Sequence, residues 1–220
     1  MTIHWPAALR FTAYSPPVLE NSDRSGGVSL SGGEQIIVSP SGRWAMQVTT
    51  ILRDQTTMLA WRALCAQFAG SRGAEILMPV TACLTQPGAI LRTLFLETGG
   101  ALTPFDDGLG FIEEQYPAAL ISDVSLNATV LNIGCDVDIQ PGHYVGIRDR
   151  LYAVQSVSKF GISTFACTIA PWTRAAALAG DPVLLRTAVC RMRLRDPQQL
   201  QQPVDLGRFA RPTLDFVEAF

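Results

Sequence analysis

Short apolar stretches separated by turn residues fill the second half of the sequence. Between Val124 and Arg195, glycine, proline or aspartate interrupts these stretches about every eight to twelve residues. This spacing is typical of a small antiparallel sandwich or barrel. The sequence therefore predicts a mostly β (α+β) chain, an antiparallel β-sandwich or small β-barrel with one covering helix and a long insertion.

The clearest strands in this half are a hairpin and a terminal strand. Segments 144–147 and 151–154 flank the tight turn that Arg148-Asp149-Arg150 predicts. A terminal strand over 212–220 alternates between two sets of side chains, with Leu214, Phe216 and Glu218 on one face and Asp215 and Val217 on the other.

The first half predicts one hairpin, one helix and one further strand. Residues 35–52 form the predicted hairpin, with its turn at Pro40-Ser41-Gly42. The helix spans about 54–70, begins at Asp54 as N-cap and carries an apolar stripe made of Met58, Trp61, Leu64, Cys65 and Phe68. A strand follows over 76–80, and Pro79 indicates a sheet edge.

Three segments organise the chain. Residues 1–80 supply an N-terminal arm, the hairpin and the helix of the main β domain. Residues 81–123 are broken up by glycine and proline and are interpreted as an insertion. Residues 124–220 complete the β domain and include the terminal strand.

Charge and cysteine content narrow the function. The net charge is −2 and charged residues make up 16% of the chain, so there is no basic excess to neutralise nucleic-acid phosphates. No apolar run reaches the length of a membrane span and no signal peptide is recognised, which predicts folding in a cytoplasm. The five cysteines lack a CxxC pair and are expected to be small buried thiols.

The sequence offers little for catalysis. His4 and His143 stand outside any metal-ligand spacing, and no phosphate-binding loop is present. Asp136 and Asp138 lack the rest of a calcium loop. No catalytic, cofactor-binding or metal-binding residue is predicted, and the chain is interpreted as a non-enzyme.

Two blocks of sequence resemble small tail proteins of long-tailed phages and prophages. The first combines 42–51 (GRWAMQVTTI) with the helix that carries Trp61. The second combines 141–154 (PGHYVGIRDRLYAV) with TIAP at 168–171, AGDPV at 179–183 and the closing DFVEAF at 215–220. Members of that family carry a similar hairpin, "G-D-Y-I-x-I-x-x-R-L-Y-x-V", and a terminal "F-x-x-V-E-A-F". His143 stands here where the family has an acidic residue.

The resemblance implies a distal tail, or tail-tip, structural protein of the baseplate. Such a subunit would form a homo-oligomeric ring, a hexamer, under the tail tube, and would be located in the virion after assembly in the host cytoplasm. Its partners would be the tail tube protein, the baseplate hub protein and the tape measure protein, with no nucleic acid and no membrane insertion. The terminal strand and the glycine-rich arm 21–33 are candidates for strand addition to a neighbour. The suspected subunit-contact residues are Leu214, Phe216, Val217 and Phe220.

Two alternatives remain open. A tail-associated cell-wall hydrolase would need an acidic site, and Asp106, Asp107 and Glu113 are its candidates. A carbohydrate-binding module would need exposed aromatic platforms, whereas only 8% of the residues are aromatic and most of these follow strand or helix patterns.

Overall fold

The computed structural model describes residues 2–20, 24–28, 31–32, 34–37, 42–70, 74–80, 118–185, 188–201 and 209–220. Helix α1 spans Gln55–Gly70, and one 3₁₀ turn spans Pro197–Leu200. The strands of the first half are β1 (Thr2–His4), β2 (Phe11–Tyr14), β3 (Val18–Glu20), β4 (Arg24–Val28), β5 (Glu34–Ile37), β6 (Arg43–Thr50) and β7 (Glu75–Pro79). Those of the second half are β8 (Ala118–Leu120), β9 (Val130–Cys135), β10 (Tyr144–Ile147), β11 (Arg150–Lys159), β12 (Thr164–Ala170), β13 (Val183–Leu184), β14 (Val189–Leu194) and β15 (Thr213–Glu218).

Two larger sheets carry the architecture. The first has the order β1-β7-β14-β15-β6-β2, with β3 also pairing β6, and the second has the order β13-β10-β11-β12-β9-β8. The second sheet nearly closes into a barrel, because the Leu120 N–H donates to the Asp181 carbonyl at 3.0 Å and Ala119 bridges Pro182. In the described part of the chain, the predicted mostly β fold with one α-helix is confirmed, with sandwich-like and barrel-like sheets. One pair, β1 with β7, is parallel.

The two sheets draw on different parts of the sequence. The first sheet combines strands from residues 2–79 with β14 and β15 near the end, whereas the second uses one continuous stretch, 118–184. Strand β8 pairs with β9, so residues 118–120, assigned from the sequence to the insertion, belong to the second sheet. Residues 81–117 lie outside the described residues.

Helix α1 begins where the sequence predicts. The Thr57 N–H donates to the Asp54 carboxylate at 2.8 Å, which satisfies one of the amides left without a partner in the first turn. Trp61 and Leu64 are buried, while Met58, Cys65 and Phe68 are partly buried against the core of the first sheet. The predicted apolar stripe is confirmed as the face that covers this sheet.

Asp54→Ala is expected to lower the midpoint of thermal unfolding, whereas Asp54→Asn should retain most of it because asparagine also caps helices well. Hydrogen bonds from the backbone N–H and hydroxyl of Thr57 lower the pKa of Asp54. The charge-dependent stabilisation is therefore present above the ordinary aspartate pKa and is lost as the pH falls through the lowered value. Thermal unfolding at neutral and strongly acidic pH should show a wild-type advantage over Asp54→Ala that shrinks in acid. An advantage that is equal at both pH values would contradict this capping role.

The hairpin predicted over 35–52 is wrong in its pairing. Strand β5 pairs with β4, whereas β6 pairs with β15, β2 and β3. The reason is burial, because the alternating side chains Trp44, Met46 and Val48 of β6 are all buried in the first sheet. Long-range partners supply that burial, and these outweigh the local turn signal at Pro40. Residues 38–41 lie outside the described residues.

Pro79 does not mark a sheet edge. Strand β7 lies between β1 and β14, and Pro79 pairs with Val189 as the last residue of β7. The Val80 N–H donates to the Ala188 carbonyl at 2.9 Å, on the side of β14. Since backbone groups alternate along a strand, the nitrogen of Pro79 faces the side of β1, whose pairing ends at His4 opposite Leu77. Proline, which has no backbone N–H to donate, is therefore tolerated at this position.

The terminal strand is central to the first sheet. Strand β15 pairs with β14 on one side and with β6 on the other. Both of its backbone edges are thus occupied within the chain, and the expectation that 212–220 adds to a neighbour's sheet is wrong for this fold. The arm 21–33 contributes β4, which pairs with β5 in a two-stranded sheet. Residues 21–23, 29–30 and 33 of this arm lie outside the described residues, and strand addition by the arm to a neighbour stays a prediction.

Candidate functional site: a buried carboxylate where the sheets meet

The terminal strand places a carboxylate inside the protein. Glu218 follows Leu214 and Phe216 on the buried face of β15, as the alternation predicts, and its side chain is 0% exposed. A buried carboxylate needs opposite charge and hydrogen bonds to offset the free-energy cost of leaving water. Among the described residues, Glu218 is the charged side chain found in the buried set, so its surroundings are taken as the candidate site.

Both sheets supply the partners of Glu218. The Trp44 N–H of β6 donates to Oε2 at 3.2 Å, and Nη2 of Arg174 lies 3.4 Å from the same oxygen. Arg150, the first residue of β11, places Nη1 3.9 Å from Oε1, a distance of ionic contact rather than of a hydrogen bond. The carboxylate therefore joins the end of the first sheet to β11 and to the loop after β12.

Further bonds strengthen this junction. Arg150 donates to the Ala219 carbonyl and Arg174 donates to the Gly42 carbonyl. The Trp44 indole N–H donates to the Leu151 carbonyl at 2.8 Å, and the indole meets the Tyr144 ring edge to face at 5.8 Å. These contacts fix the orientation of the 144–154 hairpin on the first sheet.

Phe220 lies against two cations. The guanidinium carbons of Arg43 and Arg174 are 4.6 Å and 4.7 Å from its ring centroid. Cation–π contacts of this kind stabilise by about 0.5–1 kcal/mol each at exposed positions. The ring is nevertheless 54% exposed, so Phe220 covers the junction and still presents apolar surface.

The four suspected subunit-contact residues separate into two groups. Leu214 and Phe216 are fully buried within the chain, and Phe216 packs against Trp5 and Phe68. Val217 is half-buried on the opposite face of β15, and Phe220 is exposed. In the folded chain, Phe220 is the member of this set that offers a large accessible side chain, and a role in subunit contact stays a prediction.

A pocket of about 220 Å³ adjoins the junction. Three arginines line it, and each is held in an ion pair: Arg148 with Asp181 at 3.0 Å, Arg150 with Glu218, and Arg191 with Glu75 at 3.3 Å and with Asp149. Because these cations already have acidic partners, the pocket is a set of interlocked ion pairs rather than a strongly basic anion site. Its chemistry is suited to holding loops together.

Burial shifts the pKa of a tyrosine near the junction and of a histidine at the opposite end of the β10–β11 hairpin. Burial raises the pKa of Tyr152, whose hydroxyl accepts the Arg174 N–H at 3.1 Å. Burial lowers the pKa of His143, whose Nδ1 accepts the Gln140 N–H at 3.1 Å. His143 is thus a turn-fixing residue that favours its neutral form.

The cysteines behave as buried thiols where they are described. Cys135, Cys167 and Cys190 are buried and free, and burial raises the pKa of Cys167 to about 12. Cys65 is half-buried, and Cys83 lies outside the described residues. The predicted burial is confirmed for three of the five.

The acidic candidates of the sequence are dispersed. Asp136 accepts a hydrogen bond from Ser163 at 3.0 Å, and Asp138 pairs with Lys159 at 3.4 Å. Asp106, Asp107 and Glu113 lie outside the described residues. Among the residues that are described, no cluster of three or more histidine, cysteine or acidic side chains could hold a metal ion. In the same residues no helix is long and apolar enough to cross a membrane.

The sequence pattern located one member of the junction but did not predict the junction itself. Period-two alternation placed Glu218 on the same face as Leu214 and Phe216, and no cationic partner was predicted for it. Arg150 lies in the recognised hairpin, but Arg174 lies in an irregular loop, and no pattern in the sequence pairs it with a residue 44 positions away.

Comparison with known proteins adds no relative. No protein-family model matches the chain, and no curated protein matches it significantly.

Proposed function

We propose that the chain is a structural subunit of a phage tail tip: a distal tail protein that forms a ring and joins the tail tube to the baseplate hub. The supporting observation is the convergence of the sequence blocks that carry the resemblance. Block 42–51 contributes Trp44, block 141–154 contributes Arg150, and block 215–220 contributes Glu218 to one buried junction.

This convergence gives the resemblance a physical basis. Motifs distant in sequence have a shared reason to be retained together if each supplies one part of the same contact. The contact holds two β units in a fixed orientation, which a ring subunit needs because small angular errors accumulate around a closed ring. The motif residues thus serve rigidity, as expected of a structural subunit.

The proposed partners follow from the same role. The subunit would contact copies of itself, a hexameric ring being the expected state, and would bind the tail tube protein, the hub protein and the tape measure protein. The hydrolase alternative depends on Asp106, Asp107 and Glu113, and no contact of the described residues favours it. The carbohydrate-binding alternative has no described cluster of aromatic side chains around a groove to support it.

Electron microscopy tests the proposal directly. The purified full-length chain should form closed rings in negative stain, and gold-labelled antibodies against it should mark the tube-distal end of tails made by the organism that encodes it. An antibody against the tail tube protein is the matched control and should label along the shaft. Labelling by the first antibody along the shaft, on heads, or not at all on intact tails would contradict the proposal.

A further inference from the structure

The outer face of the second sheet is uncharged over four neighbouring strands. Strand register places its side chains in rows that run straight across the sheet, since residues paired across strands share a face. The first row is Ser158, Ala166 and Asn132, the second is Ser156, Thr168 and Val130, and the third is Thr164, Gly134 and Ala119. We call these nine residues the outer face.

The opposite side of the same strands is the barrel interior. Leu131, Ile133, Phe165 and Cys167 alternate with the outer face and are buried in the second core. The outer face therefore points out of the barrel, and Val130 on it is 46% exposed. This face carries no charged side chain: five of its nine residues are polar but uncharged (Asn132, Ser156, Ser158, Thr164 and Thr168) and the other four are small or aliphatic.

Exposed apolar side chains flank the outer face at both ends. At the turn between β11 and β12, Phe160 is 74% and Ile162 is 94% exposed, the most exposed large apolar side chains among the described residues. Beyond the other end of β9 and β12 lie Leu126 and Trp172, at 57% and 41% exposed. The hydrogen bond from the Asn127 N–H to the Thr173 carbonyl, 2.9 Å, holds these two loops side by side.

The same side of the sheet already packs against another sheet within the chain. Tyr144, Leu151 and Ala153 of β10 and β11 point to this side and join the core of the first sheet. Their neighbours Val145, Tyr152 and Val154 join the barrel core instead. The outer face is thus the continuation of a surface that is used for packing. It is partly covered in the single chain, because the Ile121 side chain lies over Gly134 and the Asn132 amide donates to the Ser122 hydroxyl at 3.0 Å.

We propose that the outer face binds the same face of a second copy of this chain. An uncharged surface needs an uncharged mate, because any charge buried against it would lack a counter-ion, and a second copy presents such a mate. A two-fold axis in the plane of contact and across the strands sets the Phe160 end of one copy over the Trp172 end of the other. Apolar side chains then meet at both ends of the contact.

The contact area reaches that of a standard stable interface only if the flanking loops at both ends of the outer face are included. Strand spacing of ~4.8 Å and a rise of ~3.4 Å per residue give the outer face on the order of 400 Å². A standard stable interface buries about 800 Å² per partner. The strands alone supply about half of that, so the flanking loops must contribute, and substitutions there should also weaken the contact.

Sedimentation of the full-length chain across a range of concentrations tests the inference, which goes beyond the proposed function. The wild type is expected to associate through this face, and Ala166→Lys to raise the dissociation constant at least about 10-fold. Ala13→Lys is the matched control: Ala13 is an exposed alanine on β2, outside the outer face, and its variant should associate like the wild type. Ile162→Ser should weaken association as well, and circular dichroism should show that all three variants fold.

Three results would overturn the inference. The first is a wild type that sediments as a monomer at every concentration up to about 100 µM, the range in which weak contacts still form. The second is a set of assemblies that survive Ala166→Lys and Ile162→Ser unchanged. The third is an Ala13→Lys variant that disrupts assembly as strongly as Ala166→Lys. A failure of this test would not by itself contradict the proposed function, because a ring can close through other surfaces. Antibody labelling of tails tests that function separately.

Discussion

Glu218→Gln is expected to lower the free energy of unfolding by about 3–5 kcal/mol, the cost typical of breaking a buried ion pair from one side. The amide keeps the shape of the carboxylate but removes its charge. Arg150 and Arg174, whose side chains are 16% and 10% exposed, then remain nearly buried without that counter-charge. Urea unfolding followed by tryptophan fluorescence measures the loss, since Trp44 lies in the junction.

Glu20→Gln is the matched control for this prediction. Glu20 pairs with Arg195 at the surface, where the two side chains are 48% and 47% exposed. The same chemical change there should cost no more than about 1 kcal/mol, because water solvates both groups when the pair is broken. Equal losses in the two variants would mean that the junction is not a buried charge cluster.

A double-mutant cycle separates the pair from its surroundings. Arg174→Met alone should also destabilise the protein, because it leaves Glu218 with fewer partners. If the two groups act as one unit, Glu218→Gln combined with Arg174→Met should cost less than the sum of the single changes. Strict additivity would show that Arg174 and Glu218 contribute independently.

Local patterns in the sequence predicted the helix and individual strands better than they predicted which strands pair with each other. The Asp54 cap, the apolar stripe of α1, the Arg148–Asp149 turn and the alternation of β15 all depend on residues within a few positions of each other. Pairing of β6 with β15 joins residues such as Val48 and Leu214 that no local signal connects. The local turn signal at Pro40 therefore suggested the wrong neighbour for β6.

The candidate site shows the same limit. The alternation of β15 placed Glu218 on the same face as Leu214 and Phe216, but no buried ion pair was predicted from it. The identity of its partners depended on how β11 and the loop after β12 meet the first sheet, which is set by packing of Trp44, Tyr144 and Leu151 rather than by sequence spacing. The outer face was hidden for a related reason, because its uncharged rows appear only when four strands are aligned.

Phe216→Ala and Phe220→Ala are expected to have very different effects although both belong to the suspected contact set. Phe216 is fully buried, with its ring centroid 6.4 Å from that of Trp5 and 6.5 Å from that of Phe68. Its truncation leaves a cavity in the first core and should cost about 3–5 kcal/mol. Truncation of Phe220 removes mainly its ring contacts with Arg43 and Arg174, so it should lower the free energy of unfolding by only about 1 kcal/mol.

Ring assembly, measured per molecule of folded protein, should be weakened more by Phe220→Ala than by Phe216→Ala. Phe220→Ala stays folded but removes an exposed ring, so a contact role for Phe220 predicts weaker ring formation at unchanged secondary structure. Phe209→Ala is the control, because Phe209 is 57% exposed and lies outside the terminal strand. Rings of Phe220→Ala that match the wild type in number and size by electron microscopy would remove Phe220 from the contact set. For Phe216, a loss of rings that parallels the loss of folded protein would assign that residue to the core alone.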